Sequence, residues 1–138
     1  MPVTWEWRGL DELRAALRAL PAELRGAADL IVTEAAEGAR AEMVRGYPER
    51  SGHLRDHVAV TRTTQGQYGT GALVRNTSPH AWWFEHGTQA RHTALGANRG
   101  PMPAHPIFVP AMQRHRAAMY RRFAVLLESH GLAVSGDA

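Results

Sequence analysis

Residues 78–88, Ser-Pro-His-Ala-Trp-Trp-Phe-Glu-His-Gly-Thr, constrain this chain more than any other stretch. Three adjacent aromatics run into a single acid and then into His-Gly-Thr. Aromatic side chains carry the largest burial per residue, so either a core forms here or a partner covers them. A polar, glycine-containing segment follows from Gln89 to Gly100. It is closed by Pro-Met-Pro-Ala-His-Pro-Ile-Phe-Val-Pro at 101–110. Read as a flexible loop over about 89–105, this segment cannot join a core and is free to contact something else.

The rest of the chain must supply what those aromatics pack against. At 138 residues, one domain spanning 1–138 is expected. With 44% hydrophobic and 21% charged residues, the composition is that of a globular chain rather than a disordered one. Cysteine is absent, which excludes a disulfide framework and any thiolate metal site. The start, Met1 to Trp7, lacks the basic and apolar regions of a signal peptide, so none is expected. No apolar run approaches the ~20 residues that cross a bilayer, so no membrane partner is expected.

The net charge of +3 hides an asymmetry. Residues 1–56 hold eight Arg against ten acids, whereas residues 57–127 hold eight Arg against one acid, Glu85. All 16 basic residues are Arg. A half this basic can face an acidic protein surface or nucleic acid, although no recognition-helix or RNA-binding signature accompanies it.

Alternation in Val3–Trp7 predicts a short strand, and Leu10, Leu13, Leu17 and Leu20 predict a first helix. A second, longer helix is predicted over about Pro21–Arg45. Its apolar face carries Leu24, Ala28, Ile31, Ala35, Ala39 and Met43. A turn at 48–52 leads into a strand predicted from Leu54 to Thr64. A hairpin turn at 65–69 and a returning strand at Gly71–Asn76 follow. Ala81–Glu85 reads equally as a third strand or a short helix. A last helix is predicted from Pro110 to His130, stopped by Gly131, with a loose tail over about 132–138. The fold class is therefore α+β: a long N-terminal helix and a C-terminal helix packed on a small antiparallel β-sheet.

Three groups of residues invite a chemical reading. His80, His86 and His92 are each six apart and His53 and His57 four apart. The i, i+4 pair suits a metal only on a helix, and Leu54–Val60 reads as strand, so no metal site or cofactor is expected. Glu85 beside an aromatic cluster could act as a raised-pKa base. Two structural roles compete: capping nearby backbone amides, or pairing with an Arg such as Arg75. With no second carboxylate nearby, no nucleophile elbow and no phosphate-cradling loop, no catalytic residue is assigned and no enzyme is expected. Trp82, Trp83 and Phe84, if on a strand, would alternate between faces, leaving an aromatic either exposed at an interface or covered by a helix of the same chain.

The ordered set of motifs resembles the minor tail, tail-completion and head–tail joining proteins found at the neck of long-tailed double-stranded DNA phages. Trp7-Arg8-Gly9-Leu10-Asp11-Glu12-Leu13 leading through Leu20-Pro21 is the first likeness. Pro48-Glu49-Arg50-Ser51-Gly52-His53-Leu54-Arg55-Asp56 is the second, similar to that family's Pro-x-Arg-Thr-Gly-x-Leu-Arg-x-Ser, with Ser51 for Thr and His57 for Ser. Ala81–Thr88, similar to Tyr-x-x-Phe-Glu-x-Gly-Thr, is the third. It is followed by Pro106-Ile107-Phe108-Val109-Pro110-Ala111-Met112, similar to Pro-Phe-Leu-x-Pro-Ala with Ile107 inserted.

The resemblance implies a structural virion protein of the neck or tail, assembled in the bacterial host cytoplasm. It would form a homo-oligomeric ring, with a hexamer expected, that joins tail tube to head connector. The implied partners are further copies of itself, the tail terminator, the tail tube, the head connector, and DNA passing through the lumen without sequence specificity. Trp82, Trp83, Phe84, Arg91, Arg99 and Phe108 are the interface candidates. Arg50, Ser51, Gly52, Leu54, Glu85, Gly87, Thr88, Pro106 and Pro110 are the structural motif positions. The competing expectation is a small arginine-rich DNA-binding module.

Overall fold

A computed structural model of the chain describes residues 22–65 and 69–134. The predicted strand at 3–7, the predicted helix at 10–20 and the first stretch of family likeness lie outside them, as do residues 66–68 and 135–138. Helix α1 spans Ala22–Gly46. It is rich in Ala, Glu and Arg, which lose little rotamer freedom in a helix. It holds no proline, and it stops where Pro48 follows the last helical bond, Tyr47 N–H to Met43 O at 2.9 Å.

Leu24, Ile31, Ala36, Ala39, Met43 and Tyr47 are buried along one side of α1. Leu24, Ile31, Ala39 and Met43 are as spacing predicted; Ala28 and Ala35 are only half-buried, Ala36 is buried in their stead, and Tyr47 extends the face just past the helix end. They pack on strands β1 (Val58–Gln65) and β2 (Gly69–Asn76), an antiparallel pair in which Val60 faces Val74 and Arg62 faces Ala72. Side chains alternate along a strand, so Val58, Val60 and Arg62 share the helix-facing side with Thr70, Ala72 and Val74. Arg62 and Thr70 both reach Asp29 on α1, the Thr70 hydroxyl donating at 2.5 Å. The Thr70 bond first, and then Arg62, hold the Asp29 carboxyl below the usual range.

The first turn after α1 differs from the strand predicted there. His53–Asp56 is a short helix, α2, and β1 begins only at Val58. Gly52 precedes it at φ 69°, a left-handed conformation that any Cβ would strain. Arg55 ties the turn to α1, its Nε donating to Tyr47 O at 2.7 Å and its guanidinium pairing with Glu49 at 2.6 Å.

After β2, helix α3 covers Ala81–His86, which decides the strand-or-helix alternative in favour of helix. The segment read as a flexible loop carries a second antiparallel hairpin, β3 (Thr88–His92) with β4 (Asn98–Met102). Its side chains are largely exposed, so polarity and glycine content correctly exclude it from the core. They do not prevent backbone pairing, which needs no buried face. The last helix, α4, spans Phe108–Ser129 and runs antiparallel to α1. Arg114 and His115 both meet Glu42, His115 Nε2 at 2.8 Å, and Arg122 meets Glu34 at 2.6 Å. Gly38 permits the close approach, because a Cβ there would lie 2.8 Å from the His115 ring. The fold is α+β, with two two-stranded antiparallel sheets and the core between α1, the β1–β2 sheet and the start of α4.

Candidate subunit interface

Glu85 organises the surface around the tryptophans. It is 8% exposed, on α3, and its carboxylate accepts three backbone N–H groups at the start of α4. Ile107 N–H donates to Oε2 at 2.9 Å, Phe108 N–H to Oε2 at 3.0 Å and Val109 N–H to Oε1 at 3.0 Å. An α-helix opens with four N–H groups lacking intrahelical partners. Here three go to Glu85, and the fourth position is Pro110, which has none. The regular ladder starts next, at Ala111 N–H to Ile107 O, 3.2 Å. Of the sequence alternatives for Glu85, amide capping is what the structure shows, rather than a pair with Arg75. The capping also moves the helix start two residues earlier than Pro110. Proline suits the first turn of a helix, which is why Pro110 reads as the first residue, but with a remote carboxylate as the cap it falls third.

Burial, the largest single influence on Glu85, pushes its carboxyl up. The three amides together outweigh it, and the group sits below its ordinary value of 4.5. A lowered carboxyl is a weaker proton acceptor than an ordinary glutamate, whereas a general base working near neutral pH needs its pKa raised.

The residues around Glu85 bind the same segment. Phe84 O accepts His105 N–H at 2.9 Å, and Thr88 Oγ1 accepts Met102 N–H at 3.2 Å. Gly87, at φ 74° and ψ −179°, ends α3 with its N–H on Trp83 O at 2.8 Å. A Cβ at Gly87 would stand 2.7 Å from Met102 O, so the motif needs glycine for both conformation and space. The motif Phe84-Glu85-His86-Gly87-Thr88 is therefore a clasp on 102–109. Pro106 lies exposed in the clasped segment, before the Ile107 cap position.

In the second motif, Ser51 Oγ accepts His53 N–H at 3.4 Å, and Leu54 packs on the core while its carbonyl accepts Asn76 Nδ2 at 3.0 Å. Arg50 is exposed beside them. His53 Nδ1 lies 3.0 Å from the hydroxyl of buried Ser78. The His53 and His57 rings stack at 4.2 Å, a contact that the strand reading of this segment hid.

Of the six interface candidates, the structure divides three pairs. Phe84 and Phe108 turn inward against the core, and Phe84 meets the Tyr47 ring edge-to-face at 5.7 Å. Trp82 and Trp83 face out, 67% and 49% exposed. Strand alternation had placed Trp82 with Phe84; the helical rotation of α3 separates them instead. Trp82 stacks on His86 one turn later at 3.8 Å. Arg91 and Arg99 are exposed on the second hairpin, where with His92 they surround one shallow depression. A neighbouring depression is lined by Trp83, Thr88, Gln89, Ala90 and Arg91, so the two join through Arg91.

One feature had only a faint sequence signal, an apolar residue inside a polar loop. Leu95 stands at the hairpin apex, 98% exposed. The apex is internally braced by Gly96 N–H to Thr93 O at 2.8 Å and Ala97 N–H to Thr93 Oγ1 at 3.0 Å. No group of three or more His, Cys, Asp or Glu among the described residues could hold a metal ion. No helix among them is long and apolar enough to cross a membrane.

Compared with known proteins, the chain matches no family model, and no curated protein or solved structure matches it.

Proposed function

We infer that this chain is a non-enzymatic structural protein of a phage neck or tail. It assembles as a homo-oligomeric ring between tail tube and head connector, in the role of tail completion or head–tail joining. The observation that carries the reading is the face formed by α3 and the second hairpin. Two tryptophans, an apolar apex and two arginines stand exposed on a scaffold fixed by the Glu85 clasp. Large exposed aromatics on a rigid support mark surfaces that a protein partner covers. The motif resemblance supplies the kind of assembly. A ring subunit repeats one heterologous contact until rotation closes it.

The arginines also support the second reading, a small DNA-binding module. Anisotropy of a labelled duplex, titrated with the protein at several salt concentrations, separates the two. A ring subunit forms no small discrete complex and shows no sequence preference. A module binds as a monomer or dimer, with affinity falling steeply as salt rises.

A further inference from the structure

The surface of residues 57–127 presents no acid except Glu85, whose carboxylate is buried under three amides. The hairpin side of the molecule is therefore cationic and apolar at once. Within its own subunit, among the described residues, the hairpin packs mainly on itself.

A complementary surface exists on the same chain. Leu30, Glu34, Glu37 and Ala41 fall at i, i+4, i+7 and i+11 on α1 and are all exposed, on the side away from Ile31, Ala39 and Met43. Leu30 is 55% exposed. The Glu34 and Glu37 side chains are about half exposed in ion pairs with Arg122 and Arg40. Exposed pairs of this kind are worth about 0–1 kcal/mol, so exchanging one arginine for another costs little.

The dimensions match. The stripe from Leu30 to Ala41 is about 16 Å long at the helical rise, and strand β3 about 13 Å. Glu34 and Glu37 lie about 4.5 Å apart along the helix axis. Arg91 and Arg99 sit on adjacent strands spaced about 4.8 Å. Resting on the ring reading, we propose that the hairpin of one copy, with Trp82 and Trp83, docks along this acidic stripe of α1 on the next. Leu95 meets Leu30, Arg91 and Arg99 meet Glu34 and Glu37, and the indoles at the base of the hairpin lie toward Ala41. The two surfaces are different patches of one chain, so the contact is heterologous and repeats from copy to copy. A phosphate backbone would satisfy the arginines and leave the Leu95 apex unmatched, which favours a protein stripe that carries both acids and a leucine.

The absence of native cysteine makes the test clean. A Leu95→Cys chain is mixed with a Leu30→Cys chain and treated with a short bis-maleimide. The expected result is a mixed product several-fold above that from either chain alone. It is lost with Glu34→Arg/Glu37→Arg on the Leu30→Cys chain, and recovered when the Leu95→Cys chain also carries Arg91→Glu/Arg99→Glu. A product from the Leu95→Cys chain alone as strong as the mixed one, or no mixed product, overturns the contact. If the product is missing while the wild-type protein still closes into rings, the ring reading survives without this contact. If the chain carrying both cysteines gives only open ladders, the contact survives and the closed ring falls. Capture of duplex DNA or poly-glutamate by the hairpin face, with no mixed product, transfers that face to those occupants and overturns the proposal.

Discussion

Glu85 and Phe108 stand 23 residues apart in sequence, and the carboxylate of the first accepts the backbone N–H of the second at 3.0 Å. That bond and its two neighbours fix the start of α4 relative to α3. They also fix the base from which the second hairpin projects. The exposed face thus projects from elements joined through a buried carboxylate.

Replacing Glu85 by Ala leaves three helix-start amides without acceptors. The expected loss is about 2–3 kcal/mol, with Glu85→Gln losing less, because one amide oxygen still accepts. Thermal unfolding followed by circular dichroism measures both. Equal stability of Glu85→Ala and wild type would remove the clasp from the account.

The Glu85 carboxyl sits below its ordinary value of 4.5 in the folded chain. A depressed acid contributes stability above its unfolded value, and that contribution disappears as pH falls through the folded value. Asp29 and Glu42 are also depressed, so wild-type stability alone does not isolate the effect. The difference in urea stability between wild type and Glu85→Gln should therefore be constant from pH 7 to about 5 and shrink below about 4.5. A difference that grows on acidification would contradict the sign.

Gly87→Ala should destabilise by about 2–3 kcal/mol, and Gly87→Asn should not rescue it. Asn tolerates the ordinary left-handed region, but φ 74° with ψ −179° is a conformation confined in practice to glycine. Gly96→Ala, at φ 81° with no atom within 4 Å, carries only the backbone strain and should lose about 1 kcal/mol. Equal losses at the two sites would mean that the approach of Met102 to Gly87 does not matter.

Gly38→Ala should change sign with its background. Alanine gains about 1 kcal/mol of helix propensity over glycine. In wild type the new Cβ displaces the His115 ring, 2.8 Å away, and breaks its contact with Glu42, so a net loss is expected. In a His115→Ala background the same change should stabilise by about 1 kcal/mol. A double-mutant cycle with no coupling between the positions would contradict the packing of α4 on α1.

Helical spacing in α1 predicted Leu24, Ile31, Ala39 and Met43 of the buried side, though not Ala36, and alternation found both strands of the first hairpin. Local patterns suffice there because one amphipathic face meets one sheet face. The remaining features depend on contacts distant in sequence. Glu85 gives no local sign of capping a helix 22 residues on, so α4 was predicted to start late. The second hairpin has no buried face, so no hydrophobic alternation marks it. In α3 the three aromatics are contiguous, a pattern that fits either period; only the clasp on 102–109 decides which rings face out.

Stability should be insensitive to Trp82→Ser and Trp83→Ser, because both rings are exposed in the isolated chain. Self-association should weaken by at least tenfold in the double variant if the indoles are anchors of the subunit contact. Sedimentation at matched concentrations reads this directly, and unchanged association would remove the tryptophans from the interface.

The most direct test of the ring itself is the mass of the purified protein by light scattering, alone and with duplex DNA, with electron-microscope images of any large species. Closed rings of one subunit number, indifferent to DNA sequence, are expected. A monomer or dimer that moves onto duplex at moderate salt would contradict the ring and establish the DNA-binding module instead.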